Sequence, residues 1–317
     1  MRRAGRVPGK QSTPDARCRE IEACPTRCGA LRLRAMSDPV PPPSPPVPSR
    51  PRVDVWLESR YRKLRRGLPQ TVFFCPRCKG DRRRRRDCPQ CEGFGKLTKE
   101  SVQELIGRRL VPAMQGKTGR FHGAGREDID VLMLGRGRPF VFEVVGARNP
   151  DIDLEALRLD IVARAEGAIE LEPFVRVARS RVAYWKETHF DKRYRAEVTM
   201  GAVPAPEAIA RAAAFAGEVL QQTPQRVAHR RADLERKREL RVLEIVPSGA
   251  ELVVRMQCQH GTYVKEWISG DEGRTAPSLA SLLGVPCQCR QLDVEEILTD
   301  EAAGPRPPRP TPAAPRS

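Results

Sequence analysis

The stretch Gly123-Ala124-Gly125-Arg126-Glu127-Asp128-Ile129-Asp130-Val131-Leu132-Met133-Leu134-Gly135-Arg136-Gly137-Arg138-Pro139-Phe140 crowds glycines and charges into a loop. It then runs into Phe140-Val141-Phe142-Glu143-Val144-Val145, whose β-branched and aromatic residues predict a strand. A loop of this composition can hold a carboxylate at a strand edge beside an arginine. Asp128 and Asp130 are its candidate carboxylates, on opposite faces if the segment is extended, and composition does not choose between them. An ordinary surface turn with ion pairs would use the same residue types.

Outward from this loop, hairpins and separate helices alternate. Upstream, Ser101 is placed to cap a helix and Glu104 to complete a capping box. Downstream, Leu154, Leu157, Ile161 and Val162 fall at helical spacing within Ile152–Ala165. Val175–Val182 and Tyr194–Met200 read as strands, and Pro206–Gln222 as a helix with Ile209, Ala213, Ala216 and Leu220 on one face. Leu240–Val246 and Glu251–Met256 flank Pro247-Ser248-Gly249, a hairpin signal, and Ala276–Leu283 predicts a short helix ended by Gly284. Together these predict an α+β fold, a largely antiparallel sheet flanked by helices.

The domain order follows from composition. Residues 1–52 form an Arg/Pro-rich tail predicted to be disordered, with Met36 a candidate true start, and 302–317 form a second Pro-rich tail. Residues 53–100 are basic and cysteine-bearing, and 101–301 carry the helices and strands. The 317 residues hold 57 Lys+Arg against 40 Asp+Glu, a net charge of +17, which points to a polyanionic partner such as nucleic acid. No apolar run reaches the roughly 18–20 residues of a membrane span, and no secretory h-region follows the N-terminal arginines. The expected location is cytoplasmic, where paired CxxC motifs favour metal over disulfides.

Cys75-Pro-Arg-Cys78 and Cys88-Pro-Gln-Cys91 supply four thiolates at a spacing that suits one tetrahedral Zn²⁺. A module this small buries little core, so the metal is expected to be structural and to supply folding energy. Between the two pairs runs Arg82-Arg83-Arg84-Arg85-Arg86, read as an RNA backbone contact; a solvated charged loop is the plain alternative. Arg226, His229, Arg230, Arg231, Arg236 and Arg238 form a second basic stretch, read as another RNA-contacting surface; a charged strand face is the alternative.

Four ordered motifs carry a resemblance. Gly125-Arg126-Glu127-Asp128 is similar to the GR-x-D motif of pseudouridine synthases, whose Asp is essential. The longer run Gly125–Phe140 resembles the archaeal and eukaryotic tRNA pseudouridine synthase family that modifies T-arm positions 54 and 55. Lys192-Arg193-Tyr194-Arg195-Ala196 looks like that family's tyrosine motif, Gly261-Thr262-Tyr263-Val264-Lys265 like its GTY-[IV]-[RK] motif, and Cys289-Arg290-Gln291-Leu292 like its last, aliphatic one. The cysteine segment is similar to the family's zinc-binding segment. A THUMP-type RNA-binding region usually precedes the catalytic part, and none is evident before Cys75.

The resemblance implies a pseudouridine synthase fold over 101–301 and isomerisation of uridine in the T-arm of tRNA, at position 55 with 54 as a further target. It implies Asp128, Tyr194 and Lys265 as catalytic residues, with Lys265 beside Asp128 in a sheltered cleft favouring its charged form. It implies that Arg126, Tyr263 and Leu292 bind the substrate. Tyr194 would stack on the base and serve in removal of H5. No organic cofactor is implied, which agrees with the absence of a P-loop or dinucleotide fingerprint. Transfer RNA is the partner the resemblance implies, and neither a membrane nor an obligatory protein partner is expected. The alternative reading is a non-catalytic zinc-ribbon RNA-binding protein on the same fold. A zinc deaminase lacks its H-x-E…P-C-x-x-C pattern here.

Overall fold

The computed structural model describes residues 50–229 and 232–299. The predicted tails at 1–52 and 302–317 lie outside the described residues except for 50–52, and so do Met36, Arg230 and Arg231.

In chain order the elements are β1 (Val53–Lys63), α1 (Val102–Ala113), β2 (Thr118–Gly123), β3 (Leu132–Ala147), α2 (Leu154–Arg164), β4 (Ile169–Leu171) and β5 (Val175–Val177). They continue as α3 (Ser180–Glu187), β6 (Lys192–Met200), α4 (Pro206–Ala213), β7 (Ala216–Gln221), α5 (Gln225–Ala228), β8 (Arg236–Ser248) and β9 (Glu251–Cys258). The last are α6 (Val264–Ser269), β10 (Thr275–Ala276), α7 (Leu279–Leu283) and β11 (Cys287–Ile297). The strands join in one sheet in the order β10-β7-β8-β9-β6-β11-β3-β1-β4, with β2 also on β3 and β5 on β1. This is the α+β, largely antiparallel arrangement the sequence predicts. Its parallel pair joins Asp293 to Leu132 and Val294 to Met133, which lays β11 beside the start of β3. No helix among the described residues is long and apolar enough to cross a membrane.

Packing explains why these segments hold. Ser101 caps α1 by accepting from Glu104 N at 3.2 Å, and Val102, Ile106 and Leu110 then fall on one buried face. These residues share one hydrophobic core with Phe142 of β3. A Cβ on Gly119 would come within 2.6 Å of the Phe142 ring and 2.8 Å of Val111, so only glycine lets β2 close here. Each fully buried side chain of this kind, Leu57 and Phe140 among them, contributes about 1.5–3 kcal/mol by leaving water.

Three boundaries differ from the sequence reading. Val53–Lys63 is not part of a cysteine module: it is β1, paired with β3 from Val53↔Ala147 to Lys63↔Met133. The cysteine segment is a loop between β1 and α1, closed by Cys75 N donating to Gly95 O (3.1 Å) and Leu97 N to Phe73 O (2.8 Å). The helix predicted over 206–222 stops at Ala213, and Ala216–Gln221 becomes β7, laddered to Arg236–Arg241. Its alternating burial, with Val219 and Gln221 inside, shows the ladder overriding a weak helical period. The strand predicted over 175–182 ends at Val177 and α3 begins at Ser180, where Arg181 grips Glu58 of β1 with two hydrogen bonds of 2.6 and 2.7 Å.

Candidate active site

The loop that precedes β3 is fixed from beneath by buried side chains. Arg138 Nη1 donates to Ala124 O at 2.7 Å, Gln70 Nε2 to Gly125 O at 3.0 Å, and Lys63 Nζ to Asp128 O at 3.0 Å. Gly125 turns the chain at φ +78°, a conformation that favours glycine, and leaves room for the Arg138 guanidinium. Glu127 points inward, accepting from Tyr61 Oη at 2.7 Å and Arg138 Nε at 2.7 Å, with Lys63 Nζ at 3.9 Å. All four of these side chains are buried. Burial pushes the Lys63 amine below its ordinary range, against the opposing pull of Glu127. With Glu127 turned in, its neighbour Asp128 turns out.

Asp128 faces a cavity of about 590 Å³, lined also by Arg126, Tyr194, Tyr263, Lys265 and Leu292. The six residues singled out at the candidate site from sequence thus share one cavity, although they come from four separate stretches. Tyr194 projects from β6, where it pairs with Met256 and Val294. Leu292 and Val294 form a wall from β11. Tyr263 caps α6, and buried Gln221 clamps its backbone, accepting from Tyr263 N and donating to Tyr263 O, each at 2.9 Å. Burial raises the Tyr194 phenol well above its ordinary range, so the hydroxyl stays neutral.

Two expectations need correction. The cleft is not sheltered at the carboxylate: the Asp128 side chain is 47% exposed. Asp130 does not point away on the opposite face of a strand, because 128–130 is a turn and both carboxylates reach the same lysine. Lys265 Nζ lies 3.6 Å from Asp128 Oδ2, but its hydrogen bond, 2.8 Å, goes to Asp130. Burial, the largest single influence, raises the Asp130 carboxyl, but the Lys265 hydrogen bond and charge, a backbone hydrogen bond and the Lys63 charge together outweigh it and leave it below the ordinary range.

The sequence reading also missed partners. Arg226, read there only as part of a basic stretch, lines the cavity with Nη1 3.7 Å from Asp128 Oδ2. The inward network of Tyr61, Lys63, Glu127 and Arg138 carried one signal, a Glu next to the candidate Asp, but its burial is set by strands far apart in the chain. Arg82–Arg86 are exposed and do not line the cavity.

The Cys75, Cys78, Cys88 and Cys91 sulfurs lie within 4.8 Å of one another, and all four residues are buried. The Cys75–Cys88 and Cys78–Cys91 separations are 3.8 and 3.6 Å. Four sulfurs about 2.3 Å from a central ion sit about 3.8 Å apart, so the set fits a tetrahedral metal ion.

Residues 56–298 match the family model described as Pus10, C-terminal. The chain belongs to the Pus10 family. Among curated Pus10 relatives, the tRNA pseudouridine synthase Pus10 of Methanothrix thermoacetophila is 44% identical over 246 residues, covering 77% of this chain and 53% of that protein. The protein of the same name from Methanopyrus kandleri is 41% identical over 252 residues, covering 78% of this chain and 56% of its own. The chain thus spans about half the length of the Pus10 relatives it matches. Its likeness to the solved Cbf5-Nop10-Gar1 complex is slight: 18% identity and a TM-score of 0.36 over 62% of this chain and 43% of that one.

Proposed function

We propose that this chain isomerises uridine to pseudouridine in the T-arm of tRNA, at position 55 and, as a second target, at 54. The reading rests on one observation above all: Asp128, Tyr194, Lys265 and Leu292, distant in sequence, line one cavity in a chain of the Pus10 family. The relatives it matches bear the name tRNA pseudouridine synthase Pus10.

The chemistry asks for what these side chains supply. The N1–C1′ bond breaks, the freed uracil turns, a C5–C1′ bond forms, and the C5 proton leaves as N1 regains one. Asp128 provides a carboxylate, either as nucleophile at the sugar or base or as acceptor of a C2′ proton. Lys265 and Arg226, both within 4 Å of Asp128, stabilise negative charge there. Tyr194 is neutral and offers a ring face for the detached uracil, so stacking is its main task and its oxygen is only a weak base for H5. Leu292 gives the base an apolar wall, and Tyr263 and Arg126 hold the nucleotide at the rim. No step transfers a hydride or phosphoryl group, so no organic cofactor is required.

The cysteine cluster holds a structural Zn²⁺ in this reading, Arg82–Arg86 and the Arg230–Arg231 pair grip the phosphate backbone, and the protein works in the cytoplasm. Residues 101–301 act as the catalytic part together with β1.

Incubation with unmodified tRNA transcripts, followed by site-resolved mapping of pseudouridine, tests the proposal. Product at 55 or 54 that disappears with Asp128→Asn is the expected result. Product that persists in Asp128→Asn, or none from folded wild type, overturns it.

A further inference from the structure

Asp128 sits between two cations, yet neither hydrogen-bonds to it. Lys265 Nζ stands at 3.6 Å and Arg226 Nη1 at 3.7 Å, both beyond hydrogen-bond reach. Each cation makes its short contact with another carboxylate. Lys265 goes to Asp130 at 2.8 Å, and Arg226 Nε goes to Glu266 Oε1 at 2.6 Å. The charges therefore alternate from contact to contact, Asp130, Lys265, Asp128, Arg226, Glu266, and the middle carboxylate, approached by both cations at its Oδ2, is the one most loosely held.

Glu266 is the member whose presence needs explaining. Its side chain is 7% exposed, and its Oε2 is buried with no hydrogen-bond partner. Such a carboxylate is costly unless its charge serves a neighbour. Arg226 is that neighbour. Burial alone would lower the guanidinium's pKa, and Glu266 outweighs it. Lys265 and Glu266 are consecutive residues of α6, so one short helix sets both cations around Asp128.

We infer that Glu266 is a positioning residue that holds Arg226 at a stand-off from Asp128, so that the cation stabilises the carboxylate without occupying its lone pairs. A carboxylate hydrogen-bonded to a guanidinium must break that bond before its oxygen can attack or accept a proton. One faced by a cation across a gap keeps the favourable field and needs no reorganisation at the moment of reaction. Asp130 does the same for Lys265. The inference rests on the reading of Asp128 as the reacting carboxylate.

The test compares wild type, Glu266→Gln, Arg226→Gln and the double variant on a tRNA transcript, by single-turnover pseudouridine formation and by tRNA binding over a salt series. Each single variant is expected to lose kcat by about tenfold or more, with KM changed less than about twofold. The double variant is expected to be no slower than the worse single one, because both remove the same arrangement. Arg226→Gln should leave the slope of log affinity against log salt unchanged. A slope reduced by about one, with kcat intact, would make Arg226 a phosphate contact and overturn the inference. Wild-type kcat in Glu266→Gln, or losses that multiply in the double variant, would do the same. If Glu266→Gln does not fold, Glu266→Asp keeps the charge but draws it back by one methylene. It should then lose kcat at unchanged melting temperature, and wild-type kcat there overturns the inference. An active Asp128→Asn instead sinks the proposed function itself; an inactive Asp128→Asn beside a fully active Glu266→Gln sinks only the role of Glu266.

Discussion

Lys63 Nζ donates to the main-chain oxygen of Asp128 at 3.0 Å and to that of Leu68 at 2.9 Å. The first strand of the sheet thereby fixes the backbone of the candidate reacting residue from a fully buried position. Replacing Lys63 by Met leaves those carbonyls without their donor at about 1–3 kcal/mol each. Lys63→Met should therefore unfold at clearly lower denaturant and form less pseudouridine even where folded. An unchanged midpoint with unchanged product would contradict this.

Tyr194→Phe keeps the ring and removes only the hydroxyl. If the phenol works mainly by stacking, single-turnover product formation falls modestly while Tyr194→Leu nearly abolishes it. Equal, severe losses in both variants would instead assign the work to the oxygen.

Metal content should be about one zinc ion per chain. Cys88→Ser is expected to lose it and to loosen the loop that Cys75 and Gly95 close, while the sheet, to which the loop contributes no strand, melts nearly as before. Metal-free protein from a zinc-supplemented preparation would count against the assignment.

Arg82 to Arg86 are exposed on that loop, ordered by Asp81, whose Oδ1 accepts from Arg83 N and Arg84 N at 3.0 Å each. Changing all five to serine should flatten the salt dependence of tRNA binding, since every phosphate left unneutralised takes roughly 0.7–0.9 from the slope. The rate from the bound complex should hold, because none of the five lines the cavity. An unaltered slope would leave them a solvated loop.

His260, stacked on His189 with ring centroids 4.2 Å apart, is pushed down to about 4 from an ordinary 6.5, first by burial and then by the charges of Lys192, His189, Arg238 and Arg138. Its folded value is the lower one, so between these two values the unfolded chain binds more protons. The stability it allows is full above pH 6.5 and drains away as pH falls toward 4. The melting temperature of His260→Gln should fall less than that of wild type across this window; parallel curves would show that other groups govern the acid limb.

What the sequence made legible was local chemistry. Ser101 as a cap, the strand through Phe140–Val145 and the four site motifs depend on near neighbours, and the folded chain keeps all of them. What stayed hidden was set across the fold. Ala216–Gln221 became a strand because Arg236–Arg241 offered it a ladder. Asp130 joined the site because a turn, not a strand, carries it. Arg226 entered because Glu266, 40 residues on, draws it there. Such partners leave no period or spacing for a single sequence to display.

The parallel contact of β11 with β3 has a temporal side. Leu292 and Val294 reach the cavity only after Asp293 and Val294 dock beside Leu132 and Met133, far behind them along the chain. A nascent polypeptide emerging from the ribosome therefore carries its aspartate and tyrosine for some time before that wall exists. A chain that stops short of β11 would fold without that wall, leaving the cavity open on one side.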